Sequence, residues 1–403
     1  MLLFVFNKPY IAVIGYLVMV FCKTQEYYPI FATIKSELVF GLIILIRVLF
    51  KLAEEESKLK FSHQINKTIW FFFLTVTLSY ALSWDKEWSW DRGYYPFLKV
   101  MIIYLLVLLS IDNRKQLFSF VISFLGIYVY LVYEPAYNYL HGVGGDTHHY
   151  GDIYTSEFGL LSGHVALANN VNQVLPFFIL LPLVQKSHFK KILYYIPSAI
   201  MLIALIGSGS RGGVAGLVVC AFLIAFYSKK RMMSMIGIGA MALVLILTTN
   251  LQYTASRFEF QSASATGRFT GFTHGVGMLL KGNVAGVGPG CYALARERYF
   301  TWRLDSHNIY GQVIGELGIP GTIAWFFLIL YLFKSLSRSI DTYRKHGEDQ
   351  KAFLLLSRAV QISLLVRLFV SIASHGLYFY YWYLIAAITI LIEINAKKLD
   401  SED

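Results

Sequence analysis

The chain has 403 residues, of which 56% are hydrophobic and only 15% charged, with a formal net charge of +11. Soluble domains carry about a quarter charged residues, so a soluble globule is excluded. The excess Lys and Arg collect in short stretches between apolar runs, which is the pattern of membrane topology and not of a nucleic-acid surface.

Apolar runs near 20 residues, enough to cross about 30 Å of hydrocarbon, number about twelve. In chain order they are expected at 2–22, 30–50, 65–83, 94–111, 117–133, 165–184, 192–208, 212–227, 232–249, 320–336, 353–373 and 377–394. Lipid offers no partners to backbone amides, and the ten-residue alternation of a barrel is missing, so the spans are expected to be helices. The expected fold class is therefore all-α, a polytopic membrane protein forming one integral membrane domain over 1–403.

Placing both termini on the cytoplasmic side puts Lys51, Lys58, Lys60, Arg114, Lys115, Lys186, Lys190, Lys191, Lys229, Lys230 and Arg231 in inner loops. The short outer loops then hold little beyond Lys23, Lys86, Arg92 and Arg211. No charged segment and small-residue cleavage site open the chain, so the first apolar run is expected to be a retained helix. Cys22, Cys220 and Cys291 form no CxxC pair and no zinc spacing.

Two outer segments interrupt the helical rhythm, a shorter loop at 134–164 and a large one at 250–319. Long loops in compact proteins are usually functional or disordered, and the second lacks the biased composition of a linker. Within it, 271–281 and 291–303 have helical spacing, and Gly282–Gly290, GNVAGVGPG, is a turn-rich break. Short helices are expected over that stretch.

Several residue groups are able to carry chemistry. GSGSRGG, Gly207–Gly213, places Arg211 between two spans, where a guanidinium and helix amides favour a phosphate; the alternative is an interfacial Arg paired with lipid headgroups. Arg257 in SRFEF and Arg268 in ATGRFTGF stand in the large loop, and taken singly are equally well surface charges. SHNIYGQVIGELGIPG, Ser306–Gly321, contains His307, Asn308 and Glu316; a neutral His is a natural general base, and a capping or packing His is the bland alternative.

His141, Asp146, His148, His149 and Asp152 are metal-capable but lack a metal-site spacing, so a solvated loop is expected and no metal. Charges inside expected spans are Glu37, Arg47, Lys99 and Arg367; each costs roughly 3 kcal/mol at mid-bilayer unless it faces protein or water. Arg47 and Lys99 are expected to snorkel, and Arg367 is a candidate supporting residue.

Taken in order, GSGSRGG, TGRF, GVGPG and SHNIYGQVIGELGIPG give the chain a resemblance to the bacterial O-antigen ligase and polymerase family, at motif level from about Leu161 to Gly321. LSGHVALANNVNQVLPF also looks like the family's Gly-to-Asn segment, with Asn170 or Asn172 in the Asn role. The resemblance implies transfer of a glycan from undecaprenyl pyrophosphate to an acceptor at the periplasmic face of the inner membrane, with no cofactor and no metal.

By the same resemblance, Arg211, Arg257 and Arg268 bind the pyrophosphate and His307 takes the proton of the attacking hydroxyl, giving inversion. Asn308, Glu316, Arg367 and Asn172 are possible supporting residues, with Glu316 structural rather than catalytic. The expected partners are the lipid-linked glycan, a lipid A-core acceptor and membrane lipids, and no nucleic acid. A ligase is favoured because the chain is compact with its main loop late; polymerase is the alternative, ahead of protein O-oligosaccharyltransferase. A transporter is disfavoured, since neither internal repeats nor paired broken helices are visible.

Overall fold

A computed structural model describes residues 8–22, 30, 36–143, 163–227 and 261–402. Its helices are α1 (Pro9–Phe21), α2 (Ser36–Leu49), α3 (Glu55–Ser62), α4 (Gln64–Ala81), α5 (Lys86–Ser89), α6 (Tyr95–Ser110), α7 (Arg114–His141) and α8 (His164–Leu180). They continue as α9 (His188–Gly207), α10 (Arg211–Tyr227), α11 (Gln261–Leu280), α12 (Tyr292–Phe300), α13 (Ile309–Lys345), α14 (Lys351–Val370) and α15 (Tyr380–Glu402). No strand occurs among the described residues, as an all-α chain requires.

Among the described residues, six stretches are long and apolar enough to cross a membrane: Lys86–Ser110, Arg114–His141, His164–Val184, His188–Gly207, Ile309–Lys345 and Glu348–Ala373. Shorter apolar helices cover Pro9–Phe21, Val39–Leu49 and Arg211–Tyr227. The expected span at 232–249 lies outside the described residues.

The chain divides into two compact units. One gathers Met1–Phe50, Ser110–Glu259 and Ile340–Val370. There α8 is central, packed on α9, α10 and α14, while α7 lies against α9 and α1. The ends of α7 follow from its flanking residues. Asn113 accepts from the backbone N–H of Gln116 at its start, and Gly142, at φ 62°, ends it in the left-handed region that glycine adopts without strain.

The other unit gathers Lys51–Leu109, Phe260–Ser339 and Ser371–Asp403. Its axis is the first part of α13, which begins at Ile309 and so takes in residues that the sequence assigns to the large loop. The helix is kinked at Gly318, where φ is 62° and ψ −153°. Pro320 has no N–H, and the N–H of Ile319 donates instead to Val284 at 2.9 Å, so the carbonyls of Gly315 and Glu316 lose their helical donors.

The turn-rich GNVAGVGPG stretch replaces those donors. Val287 N–H donates to Gly315 at 3.0 Å and Gly288 N–H to Glu316 at 3.2 Å, and the Ser79 hydroxyl from α4 also donates to the Glu316 carbonyl. Gly286, at φ 85°, lies so close that a Cβ there would stand 2.1 Å from the Glu316 oxygen. Trp84 and Trp88 brace the same stretch, their indole N–H groups donating to Asn283 Oδ1 and to the Gly290 carbonyl.

Farther along α13, the buried Glu393 of α15 accepts from Ser335 and lies 3.1 Å from His63, 3.0 Å from Arg338 and 3.2 Å from Lys397. A buried carboxylate needs such partners, and these pin α15 to α4 and α13.

Candidate active site

In the second unit, the segment between α12 and α13 carries His307. Asn308 caps α13, its Oδ1 accepting from Gly311 N–H at 3.0 Å, and its Nδ2 donates to the Ile372 carbonyl at 2.9 Å. The residue before it, His307, has φ 45°, a left-handed conformation uncommon outside glycine. Such strain persists only where the surroundings enforce it, and it concentrates at functional sites.

His307 keeps part of its surface open, and its imidazole stands edge-on to His375, with ring centroids 5.1 Å apart. Nε2 of His375 is 4.0 Å from Oδ2 of Asp305. Burial lowers the His307 pKa from 6.5 most strongly; Asp305 raises it, and the Arg268 and Arg296 guanidiniums lower it. The ring is thus held neutral, the form a general base needs.

Arg268 lies near the start of α11, half-buried. It reaches this site because α11 and α13 meet backbone to backbone. A Cβ on Gly271 would stand 1.8 Å from the Ser306 oxygen, one on Gly275 2.3 Å from the Gly311 oxygen, and one on Gly311 2.2 Å from the Gly271 oxygen. The spacing of these glycines is the small-x-x-x-small pattern that lets helices touch. Tyr292 of α12 completes the junction by donating to the Gly271 carbonyl.

Glu316 is buried and accepts from the hydroxyl of Tyr378 at 2.6 Å and from Nε2 of Gln312 at 3.3 Å. Gln312 Oε1 in turn accepts from the backbone N–H groups of Gly376 and Leu377 at 3.1 and 3.2 Å. Glu316 thus fastens the segment that carries His375. That histidine lies beyond the end of α14, after a short 3-10 turn, and not on the helix itself.

In the first unit, GSGSRGG forms the turn from α9 into α10. Gly209 has φ 59°, and Ser210 caps α10 by accepting from Gly213 N–H at 3.2 Å. Arg211 is the first residue of that helix and is half-buried. Asn172 of α8, fully buried, donates to the Gly213 carbonyl at 2.8 Å, and Gly216 leaves room for it, since a Cβ there would stand 2.5 Å from the Asn172 amide nitrogen. Asn170 donates to the Ala166 carbonyl of its own helix at 2.9 Å and accepts from the Tyr128 hydroxyl of α7 at 3.3 Å. Arg367 is buried on α14.

Arg257, together with Asp146, His148, His149 and Asp152, lies outside the described residues. Among the described residues no group of three or more His, Cys, Asp or Glu is placed to hold a metal ion.

One stretch runs from α9 through GSGSRGG, TGRF, GVGPG and SHN to the first turns beyond the α13 kink. Residues 196–326 match the family model described as O-antigen ligase. This matched domain is similar to O-antigen ligase. Arg211, Arg268, His307, Asn308 and Glu316 all fall within that domain, whereas Asn172 and Arg367 lie outside it. Among curated proteins, none matches the chain.

Three residues of the matched domain are absent from the sequence-level candidates: Asp305, Arg296 and His274. Arg296 is fully buried, and its Nε donates to His274 Nδ1 at 2.9 Å. Nothing in its sequence context, ARERYF, sets this arginine apart from its charged neighbours. The available signal is helical spacing, which puts Arg296 on the same face as Tyr292 and Tyr299.

Proposed function

We propose that the protein is an O-antigen ligase, transferring a glycan from undecaprenyl pyrophosphate to a hydroxyl of lipid A-core at the periplasmic face of the inner membrane. The observation that carries this is the arrangement within the ligase-family domain, where a histidine held neutral has Arg268 acting on it electrostatically.

A neutral His307 accepts the proton as the acceptor oxygen bonds to the anomeric carbon. The bond from that carbon to the pyrophosphate breaks, and its electron pair leaves with the phosphate. Attack opposite the leaving group inverts the anomeric centre. Arg268 stabilises the charge that builds on the departing oxygens, work for which a planar guanidinium is suited. Arg211 and Arg257 are assigned to the same pyrophosphate charge. Topology supports the periplasmic placement, since the basic loops then face the cytoplasm with both termini.

The test is the lipopolysaccharide banding pattern of a strain lacking this protein, complemented with wild type or His307→Ala. Wild type should restore capped lipopolysaccharide and His307→Ala should not, with polymer accumulating on its lipid carrier. Capping by His307→Ala overturns the general-base role. A single repeat on the core in the deletion strain makes the protein a polymerase acting on the same donor.

A further inference from the structure

Arg296 is 0% exposed, and all of its hydrogen-bond acceptors are neutral. They are Nδ1 of His274 at 2.9 Å, Oγ1 of Thr270 at 3.1 Å, and the carbonyls of Asp305 at 3.1 Å and Leu304 at 3.4 Å. The indole of Trp302 covers the guanidinium, 5.4 Å from its ring centroid. Burying a charge without a bonded countercharge is costly, and for stability alone an apolar side chain of similar size serves as well or better. The charge and the fork therefore call for another role.

The acceptors indicate that role. Thr270 and His274 belong to α11, the helix that carries Arg268; Leu304 and Asp305 belong to the segment that carries His307. One planar group with donors in fixed directions thus ties the anion-binding helix to the two residues that lead into the strained histidine. His274 fits this arrangement as a neutral ring, because its Nδ1 must accept; it stacks flat on Phe300 with centroids 4.0 Å apart.

We propose that Arg296 is a positioning residue for transfer, holding the Leu304 and Asp305 carbonyls so that His307 keeps its left-handed backbone beside Arg268. This rests on the assignment of His307 as general base. The buried charge has a second effect on the same histidine. Of the charged groups around His307, the Arg268 and Arg296 guanidiniums oppose its protonation, while the Asp305 carboxylate favours it. The neighbouring His375 lies edge-on to His307, with its Nε2 4.0 Å from Oδ2 of Asp305.

Fork and charge are separable by substitution. Arg296→Lys keeps the charge and loses the fork; Arg296→Met loses both. Transfer from purified lipid-linked donor by the full-length protein in detergent should fall about 10²-fold in kcat for both, the scale of loss that misplacing a catalytic group brings, with KM little changed. The ionisation of His307 is read without turnover, from the pH dependence of its modification by diethyl pyrocarbonate, followed by mass spectrometry of its peptide. That ionisation should move to higher pH in Arg296→Met and stay in place in Arg296→Lys. A purely structural role would not divide the two variants in this way.

Full transfer by folded Arg296→Met or by Arg296→Lys overturns the proposal, as does a His307 ionisation unmoved in Arg296→Met. If Arg296→Met is not recovered folded by size-exclusion chromatography, Arg296→Lys decides alone. His307→Ala run in parallel separates the two claims: transfer by it removes the general-base assignment itself, whereas its inactivity beside a fully active Arg296 variant removes only this inference.

Discussion

The ring of His307 meets that of His375 edge-on, with planes inclined at 61° and centroids 5.1 Å apart. His375 also lies 4.0 Å from Asp305, so two imidazoles and a carboxylate run together in one unit, with the charges of Asp305 and Arg268 acting on His307. The pH response of this run can be worked out in sign.

His307 has its pKa lowered from 6.5, so its neutral form persists to lower pH than in a free imidazole. Transfer should therefore fall only below that value, as the pH drops through the lowered pKa. Asp305→Asn removes the group that raises the pKa and should carry the acid limb of the kcat/KM profile still lower. A limb that moves to higher pH would exclude this electrostatic account.

His307→Ala should cost about 10² to 10⁴ in kcat, the usual range for a lost general base, with protein levels in the membrane unchanged. Arg268→Ala and Arg211→Ala are each expected to abolish transfer without loss of protein. Undiminished transfer by either arginine variant in an extract of equal protein content would remove that arginine from the pyrophosphate.

Gly271→Ala tests the contact of α11 with α13. Its Cβ would overlap the Ser306 oxygen at 1.8 Å, so the two backbones must separate. Overpacking of this kind costs about 1 to 3 kcal/mol, and transfer should fall with it because His307 follows Ser306 directly. Gly126→Ala on α7 is the control, since a Cβ there meets nothing within 4 Å and alanine is favoured in a helix. Thermal unfolding of the two variants should shift in opposite directions.

Glu316→Gln keeps an acceptor for Tyr378 and for Gln312. It should leave transfer within a few-fold of wild type, whereas Glu316→Leu strands both partners and should cost about 1 to 3 kcal/mol. Loss of transfer in a well-folded Glu316→Gln protein would instead mark Glu316 as a proton carrier.

Much of this was legible in the sequence because hydropathy and glycine spacing act locally. The limits of α8, α9, α10 and α14 fall close to those expected from apolar runs, and helices occur at both places expected between Arg268 and His307. The joining of the helix that carries Glu316 to the span expected at 320–336 was not legible, since Gly318 and Pro320 are helix breakers by composition and the kink there is held by tertiary hydrogen bonds. Arg296 was hidden for a related reason. Four residues of ARERYF are charged or aromatic-polar, and only the packing of α11 against the segment before α13 buries the one that matters.

The two carbonyls released at the α13 kink are capped by a segment that precedes the helix in the chain. During synthesis that segment emerges first, with nothing yet to bond to, and the helix that needs it follows. The kinked end of α13 is thus satisfied only after the earlier stretch has folded back against it. Maturation of this unit is thereby coupled to the order in which its segments are made, and a shift in the length between Gly290 and Ile309 would be felt first as a failure to assemble and only afterwards as a failure to react.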